Sequence, residues 1–360
     1  MAQTAQAGIF GFGPQSAKET AASTLYKHRA SDIDLAAISD DRIGPPEVGG
    51  TPTPTFPYRA GILAAGGATI APRLESTFGW ILEGVAGDVT TTADEDVFGT
   101  TATDWYHHVF SFDTTAESFV PWMSYYKEIP NAVAAKRLGE LYQDCKIVGL
   151  NLALPNDGLI QARIDVVGRM ATGTVFEDDP SPSFGNTQYE DFTSIPIGSI
   201  VGGYLQIPDY ASEDLAVVQA TANFANIPLD IRQEKVFGSP YLEDITVTGR
   251  GLTVDMILKW QDYELYRSII TGSTTATQWT SCPWVKDLDI YALTGQCAGE
   301  TYPYQLRVVA PEMMFQVAGG IRLAGNEAVM MRVTGTAIKG TEHYYDIHLF
   351  NEESSYAWPS

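Results

Sequence analysis

The sequence has few basic residues, few cysteines, little charge for its length and no long apolar run. Lys and Arg number 22 against 44 Asp and Glu, a formal charge of −22 with a pI near 4.4. The basic residues stand singly, with Lys136 and Arg137 the nearest approach to a cluster. Binding to DNA or to an anionic membrane relies on clustered Lys and Arg to displace counterions, so both classes of function are disfavoured. Cys145, Cys282 and Cys297 form no CxxC and leave at least one thiol unpaired, which excludes a secreted disulfide scaffold. A Cys282–Cys297 bridge stays open as an exception to a reducing compartment. The most apolar stretch, residues 61–71, is too short and too rich in glycine to span a bilayer. The first seven residues, MAQTAQA, lack the basic and apolar regions of a signal peptide, so the expectation is a soluble chain that assembles in the cytoplasm.

Motifs of catalysis and of ligand binding are also missing. The sequence contains no GxSxG, HExxH or CxxC. Asp94, Asp96 and Gly99 match three positions of a calcium loop, but Phe98 and Trp105 occupy positions that need oxygen ligands, so a solvated acidic loop is expected. His107 and His108 are adjacent on a strand-like segment, point to opposite faces and cannot chelate one metal together. Gly8, Gly11 and Gly13 lack the Lys-Ser/Thr of a phosphate loop. The acid pairs Asp40-Asp41 and Glu352-Glu353 do not establish two carboxylates set across a sugar. No catalytic, cofactor-binding or metal-ligating residue is therefore assigned, and a non-enzymatic protein is expected. The alternative class is a carbohydrate-binding or carbohydrate-active β-sandwich protein.

What is present is material for β-rich cores. Hydrophobic residues make up 44% and aromatics 11%, enough for packed interiors, and 360 residues exceed the usual single core. Charged residues at 18% fall below the roughly 25% of average domains, which implies a surface covered by more than water; self-association is the simplest cover. Residues 1–54 read as an extended arm closed by a Pro/Gly-rich linker. A first domain is expected over 55–185 and a second over 186–360, separated near the acidic, Pro-rich segment 177–183.

Within the first domain, residues 75–87 carry Phe78, Ile81, Leu82 and Val85 on a helical period ending at Gly87, and residues 89–104 read as a polar loop. Strand character returns over 105–112 and 145–154. A turn at Asn156-Asp157-Gly158 then leads to an alternating strand ending at Gly168. The second half repeats this order: a strand over 245–258, a short helix over 261–272 ending at Gly272, a strand over 314–323, a turn at 324–327, an alternating strand to Gly335 and a last strand over 343–350. A longer insertion in the first half is assigned to residues 121–141.

The segments 59–64 with 73–82, 107–110 with 145–152, and 335–337 with 347–352 and Tyr356 resemble the tail tube, or major tail, proteins of long-tailed bacteriophages. The likeness covers most of 55–170 and 240–356 as a pattern and is thinner over 195–244. It implies a mainly β fold, two tandem tube domains of β-sandwich or barrel type, each with one short flanking α-helix. It further implies a homotrimer with pseudo-sixfold symmetry, stacked head to tail into the virion tail. The implied partners are the chain itself and the tail tip, tape measure and terminator proteins. DNA passes through the lumen without specific binding, and no membrane is engaged. In that setting a net negative wall avoids phosphate contacts that would add up ring after ring; the acids could equally serve to keep the free subunit soluble. Residues 1–50, 88–104 and 121–141 are the expected contacts between rings.

Overall fold

Period-two alternation makes the strands, and the two places where it yields to a helical period make the two helices found among the described residues. The computed structural model describes residues 8–45, 50, 53, 56–75, 77–93, 105–112, 120–131, 133, 136–170, 175–178, 182–185, 203–208, 215–261, 263–293, 304–321, 328–339 and 344–356. The first part of the chain runs β1 (Ile9–Pro14), β2 (Tyr26–His28), β3 (Ala30–Ile33), β4 (Ala36–Ile43), β5 (Pro57–Ile70), α1 (Phe78–Ala86), β6 (Asp88–Ala93), β7 (Tyr106–Ser111), β8 (Met123–Ile129), β9 (Leu138–Pro155), β10 (Gln161–Gly168) and β11 (Val175–Asp178). The second part runs β12 (Tyr204–Gln206), β13 (Val217–Pro228), β14 (Val247–Lys259), α2 (Glu264–Thr271), β15 (Val285–Leu293), β16 (Gln305–Val317), β17 (Met330–Ala337) and β18 (Asp346–Asn351). The pairings between these strands are antiparallel, and the fold is mainly β.

Both helices stop for the same reason. Gly87 and Gly272 sit at φ 93° and 76°, and their N–H groups donate to the carbonyls of Glu83 and Ser268 at 2.7 and 2.8 Å. A left-handed residue there costs a side-chain-bearing amino acid energy and costs glycine little. α1 buries Phe78, Ile81, Leu82 and Val85, the residues that carry its helical period.

The same pairing order occurs twice. In the first half β10 lies between β5 and β9, the amino-terminal end of β9 pairs with β8 and β11, and β8 pairs outward with β1. In the second half β17 lies between β14 and β16, the amino-terminal end of β16 pairs with β15 and β18, and β15 pairs outward with β12. β4 forms a hairpin with β5 as β13 does with β14. The helices follow suit, α1 packing on β9 and α2 on β16. Even the closing glycines correspond: a Cβ on Gly168 would lie 2.5 Å from Cys145 Sγ, and one on Gly335 2.4 Å from Met313 Sδ.

Several expectations need correction. Residues 8–45 are not an arm: β1 is paired on both sides, and Phe10 and Phe12 belong to the core. The alternation there is hidden because β1 is almost wholly buried and its glycines, not polar residues, occupy every other position. A Cβ on Gly13 would lie 2.2 Å from the Thr24 carbonyl, so this glycine permits close strand contact. β4 and β5, on either side of the Pro/Gly-rich segment beginning at Gly44, pair with each other up to Ile43 opposite Pro57, so the segment joins two strands of one sheet; most of it lies outside the described residues. Residues 88–93, expected in a loop, form β6, because Thr-rich segments suit a half-exposed strand; residues 94–104 lie outside the described residues. Residues 121–141 are no insertion either, since β8 and the start of β9 answer to β15 and β16. Among the described residues the β6/β7 hairpin, like β2 and β3, has no counterpart in the second half, and its β7 pairs with β18 of that half. Of the segment 314–323, residues 314–317 end a strand that begins at Gln305 and residues 318–321 are not strand; residues 322–323, the turn at 324–327 and the boundary near residue 186 lie outside the described residues.

One cluster of buried side chains runs through both halves, from Phe10 and Phe12 to Tyr356. Phe12 is fully buried against Tyr125 and His28. Replacing Phe12 by Ala should cost about 3–5 kcal/mol of unfolding free energy in urea titration. A loss below about 1 kcal/mol, the level of a surface change, would mean that the amino-terminal segment is not part of the core.

Candidate assembly surfaces

Two strand pairs join the halves, β7 with β18 and β9 with β13. β13 pairs with β9 from Gln219 opposite Pro155 to Ala225 opposite Gly149. This contact joins four strands of each half into one antiparallel array in the order β4, β5, β10, β9, β13, β14, β17, β16. Side chains hold the joint as well. Asn226 on β13 donates to the carbonyls of Val85 and Ile147, both at 3.0 Å, and Arg250 on β14 donates to Ala86 O at 2.8 Å. Carbonyls in the last turn of a helix lack intrahelical partners, so α1 of the first half is capped by the second.

The array has two unlike faces. Ala162, Ile164, Leu150, Leu152, Ala222, Phe224, Val254, Met256 and Val333 point into the core. Their alternates form cross-strand rows on the open face. One row passes through Thr69, Arg163, Asn151, Asn223, Thr253 and Thr336; another passes through Gln161, Ala153, Thr221, Asp255, Thr334 and Gln316. None of these side chains is buried, and the rows are dominated by small polar residues. The arginines on this face have carboxylates beside them. Arg163 reaches both oxygens of Asp34 at 2.7 Å and Asp165 at 3.0 Å, while Arg332 lies 3.9 Å from Asp255. The Asp34 carboxyl lies below its ordinary value; desolvation opposes that shift, and the bonds from Arg163 and the Gly67 N–H outweigh it.

Apolar side chains are exposed where the two corresponding hairpins turn. At the β4/β5 end these are Ile43, Phe56 and Tyr58; in the loop between β13 and β14 they are Val236, Tyr241 and Phe237, the last fully exposed. Solvent-exposed aromatics concentrated at equivalent ends of a repeated unit mark contact surfaces more than scattered apolar residues do.

Among the described residues, those singled out for chemistry are held in packing contacts, hydrogen bonds and ion pairs. His107 and His108 point to opposite faces of β7, as expected. His108 is buried, with Nδ1 2.9 Å from Thr91 Oγ1 and Nε2 3.1 Å from Asn351 Oδ1. His107 stacks on Phe350, and its Nε2 lies 2.9 Å from Nδ1 of His348 on β18. That long-range pair could not be read from a single strand. A hydrogen bond between two ring nitrogens needs one donor and one acceptor, so at least one ring is neutral. Asp40 and Asp41 are engaged by Arg42 and Arg59 at 2.7 Å. Gly11 and Gly13 are packing residues of β1, and the Asp94, Asp96 and Gly99 positions lie outside the described residues. Among the described residues no cluster of three or more His, Cys, Asp or Glu could hold a metal. Sequence reasoning missed a buried ion pair, Arg169 with Asp144 at 3.0 Å, where Asp144 also accepts from Gln15 Nε2 and Glu19 N–H. Arg169 Nε further donates to Leu242 O, so the pair ties the corner of β9 to β1 and to the loop between β13 and β14.

Comparison of the chain with models of protein families gave no match, and comparison with curated proteins gave none. The surfaces therefore rest on their own geometry.

Burial pushes both His108 and His348 down to about 4 from 6.5. Their folded values lie below the unfolded ones, so the stability they carry is complete above about pH 6.5 and is lost as pH falls toward 4. A His108→Gln/His348→Gln chain should show a shallower fall in its urea midpoint between these pH values than the natural chain. Equal slopes would show that the two rings do not carry the effect.

Proposed function

We propose that the chain is a structural virion protein that forms stacked rings, the hollow tail tube through which DNA of a long-tailed phage passes into its host. The observation that carries this reading is the array. It consists of two four-strand units in the same order, packed on the core by one face and lined on the other by short polar side chains, with the arginines of that face, Arg163 and Arg332, each beside a carboxylate. Such a face is the wall of a conduit more than a binding surface, because DNA is held by accumulated cation–phosphate contacts and this wall offers few. The net charge of −22 works in the same direction. The resemblance of the sequence to tail tube proteins supports the same assignment.

In this proposal a subunit contributes two units to each ring, three subunits make a pseudo-sixfold ring, and the apolar hairpin ends contact the adjacent ring. A heterologous contact that closes laterally makes rings, and one that repeats axially makes a filament, so both are needed for a tube. The partners are further copies of the chain, together with the tape measure, tail tip and terminator proteins that bound such a tube. Assembly takes place in the host cytoplasm.

Negative-stain microscopy of the purified chain at rising concentration should show rings and then hollow tubes. A monodisperse monomer that binds or cleaves polysaccharide would overturn the proposal in favour of the carbohydrate reading. The wall itself is open to test. A Thr221→Lys/Thr253→Lys/Thr334→Lys variant should retain duplex DNA in its tubes at about 0.15 M salt and release it as salt rises, while tubes of the natural chain should retain none. Equal retention by both would place these rows away from the lumen.

A further inference from the structure

The two joints between the halves differ in how they respond to protons. In the β9/β13 joint the paired segments 149–155 and 219–225 contain no ionisable side chain. In the β7/β18 joint stand His107, His108 and His348, three of the five histidines of the chain.

His107 and His348 share the outer face of this joint as diagonal neighbours, since His107 lies opposite Phe350. Their rings stack with centroids 5.2 Å apart, and Phe350 stacks on His107 at 4.1 Å. The 2.9 Å contact between Nε2 of His107 and Nδ1 of His348 holds one proton and has no room for two, because two cationic N–H groups would point at each other.

The charges around the pair set the sign of the effect. On the same face β16 places Arg307 opposite His348, and Asp289 of β15 accepts from Arg307 at 2.7 Å. Tyr291 of β15 lies opposite Arg307, and Tyr204 of β12 opposite Tyr291. Asp346 of β18 and Asp88 of β6 both lie opposite Ser111, at the other end of β7 from His107. On the core face His108 has Tyr106 and Tyr356 against its ring and Asn351 at Nε2, with Glu353 two residues further on; α1, packed on β7, carries Glu83. After burial, it is His107 and Arg307 that act on His348, and both oppose its charging; together they push it down to about 4.

We propose that β7/β18 is an acid-released clasp: a second proton on the His107/His348 pair parts β7 from β18, while the β9/β13 joint keeps both halves in one array. Release leaves β7 on β6 and β18 on β16, uncovers Phe350, and lets the halves turn about the remaining joint. The acid loss of stability described above is thereby assigned to one joint. The clasp is a property of the single subunit and does not depend on the ring reading.

The test is hydrogen exchange of the full chain, read by mass spectrometry from pH 6.5 towards 4 and corrected for the intrinsic rate. Peptides covering 106–111 and 346–351 report one joint, and those covering 149–155 and 219–225 the other. The folded value of His348 lies below the unfolded one, so closure is complete above about pH 6.5 and weakens as pH falls toward 4. Opening at β7/β18 should rise about tenfold per pH unit for each proton taken up, while β9/β13 stays flat. His348→Gln, which keeps a polar group beside His107 but takes up no proton, should remove about one tenfold step per pH unit. Equal acceleration at both joints, or none at β7/β18, would overturn the clasp on the natural chain alone, even if the variant does not fold. A folded His348→Gln chain that accelerates as the natural chain does would overturn it too.

Discussion

The pairing of β13 with β9 is the contact on which the rest of the architecture depends. Without it the chain would be two separate sheets, each with bare edges; with it, the strands of both halves share one array and one core. Its cost is modest because β13 buries every second residue against the interior and exposes polar alternates, so one strand serves both the core and the open face. Asn226 and Arg250 add directional bonds to the end of α1, fixing the angle at which the halves meet. The β7/β18 pairing and the Asn351 network, in which Nδ2 donates to Leu74 O and Tyr356 Oη at 2.7 Å, fasten them a second time.

A joint of this kind solves an edge problem only locally. Each four-strand unit has two edges, and joining two units covers one from each and leaves the other pair. Antiparallel edges left bare carry unsatisfied backbone groups, so either the protein blunts them or other chains complete them. Here the surviving edge β4 is long and electrically neutralised, which fits completion. In the proposed ring, the wall of short polar residues and the acidic net charge then follow as requirements on its inner surface.

Much of this order was legible in the sequence, and the failures have physical causes. Gly87 and Gly272 mark the helix ends because only glycine accepts their left-handed backbone, and the Gly168 and Gly335 strands alternate because one of their faces is solvated. The repeated order of strand, helix and strand pair was visible for the same reasons. β1 was not, because a strand buried on both faces loses its alternation, and glycines at positions 11 and 13 mimic a flexible arm. β6 was misjudged because Thr90, Thr91 and Thr92 are as polar as a loop. The His107/His348 contact, the Arg169/Asp144 pair and the β9/β13 joint link positions far apart in the chain, and no local pattern encodes such partners. The candidate surface is in this respect the least legible part of the molecule: an edge is defined by the strand it lacks.

The most direct test of edge completion is amide hydrogen exchange, read residue by residue along Ala36–Ile43 in dilute and in concentrated protein. If other copies complete the array, amides on the outer side of β4 exchange freely when dilute and become protected on assembly, approaching the protection of the equivalent amides of β13, which is covered in both states. Assembled protein in which β4 exchanges as fast as it does in the dilute chain would contradict it.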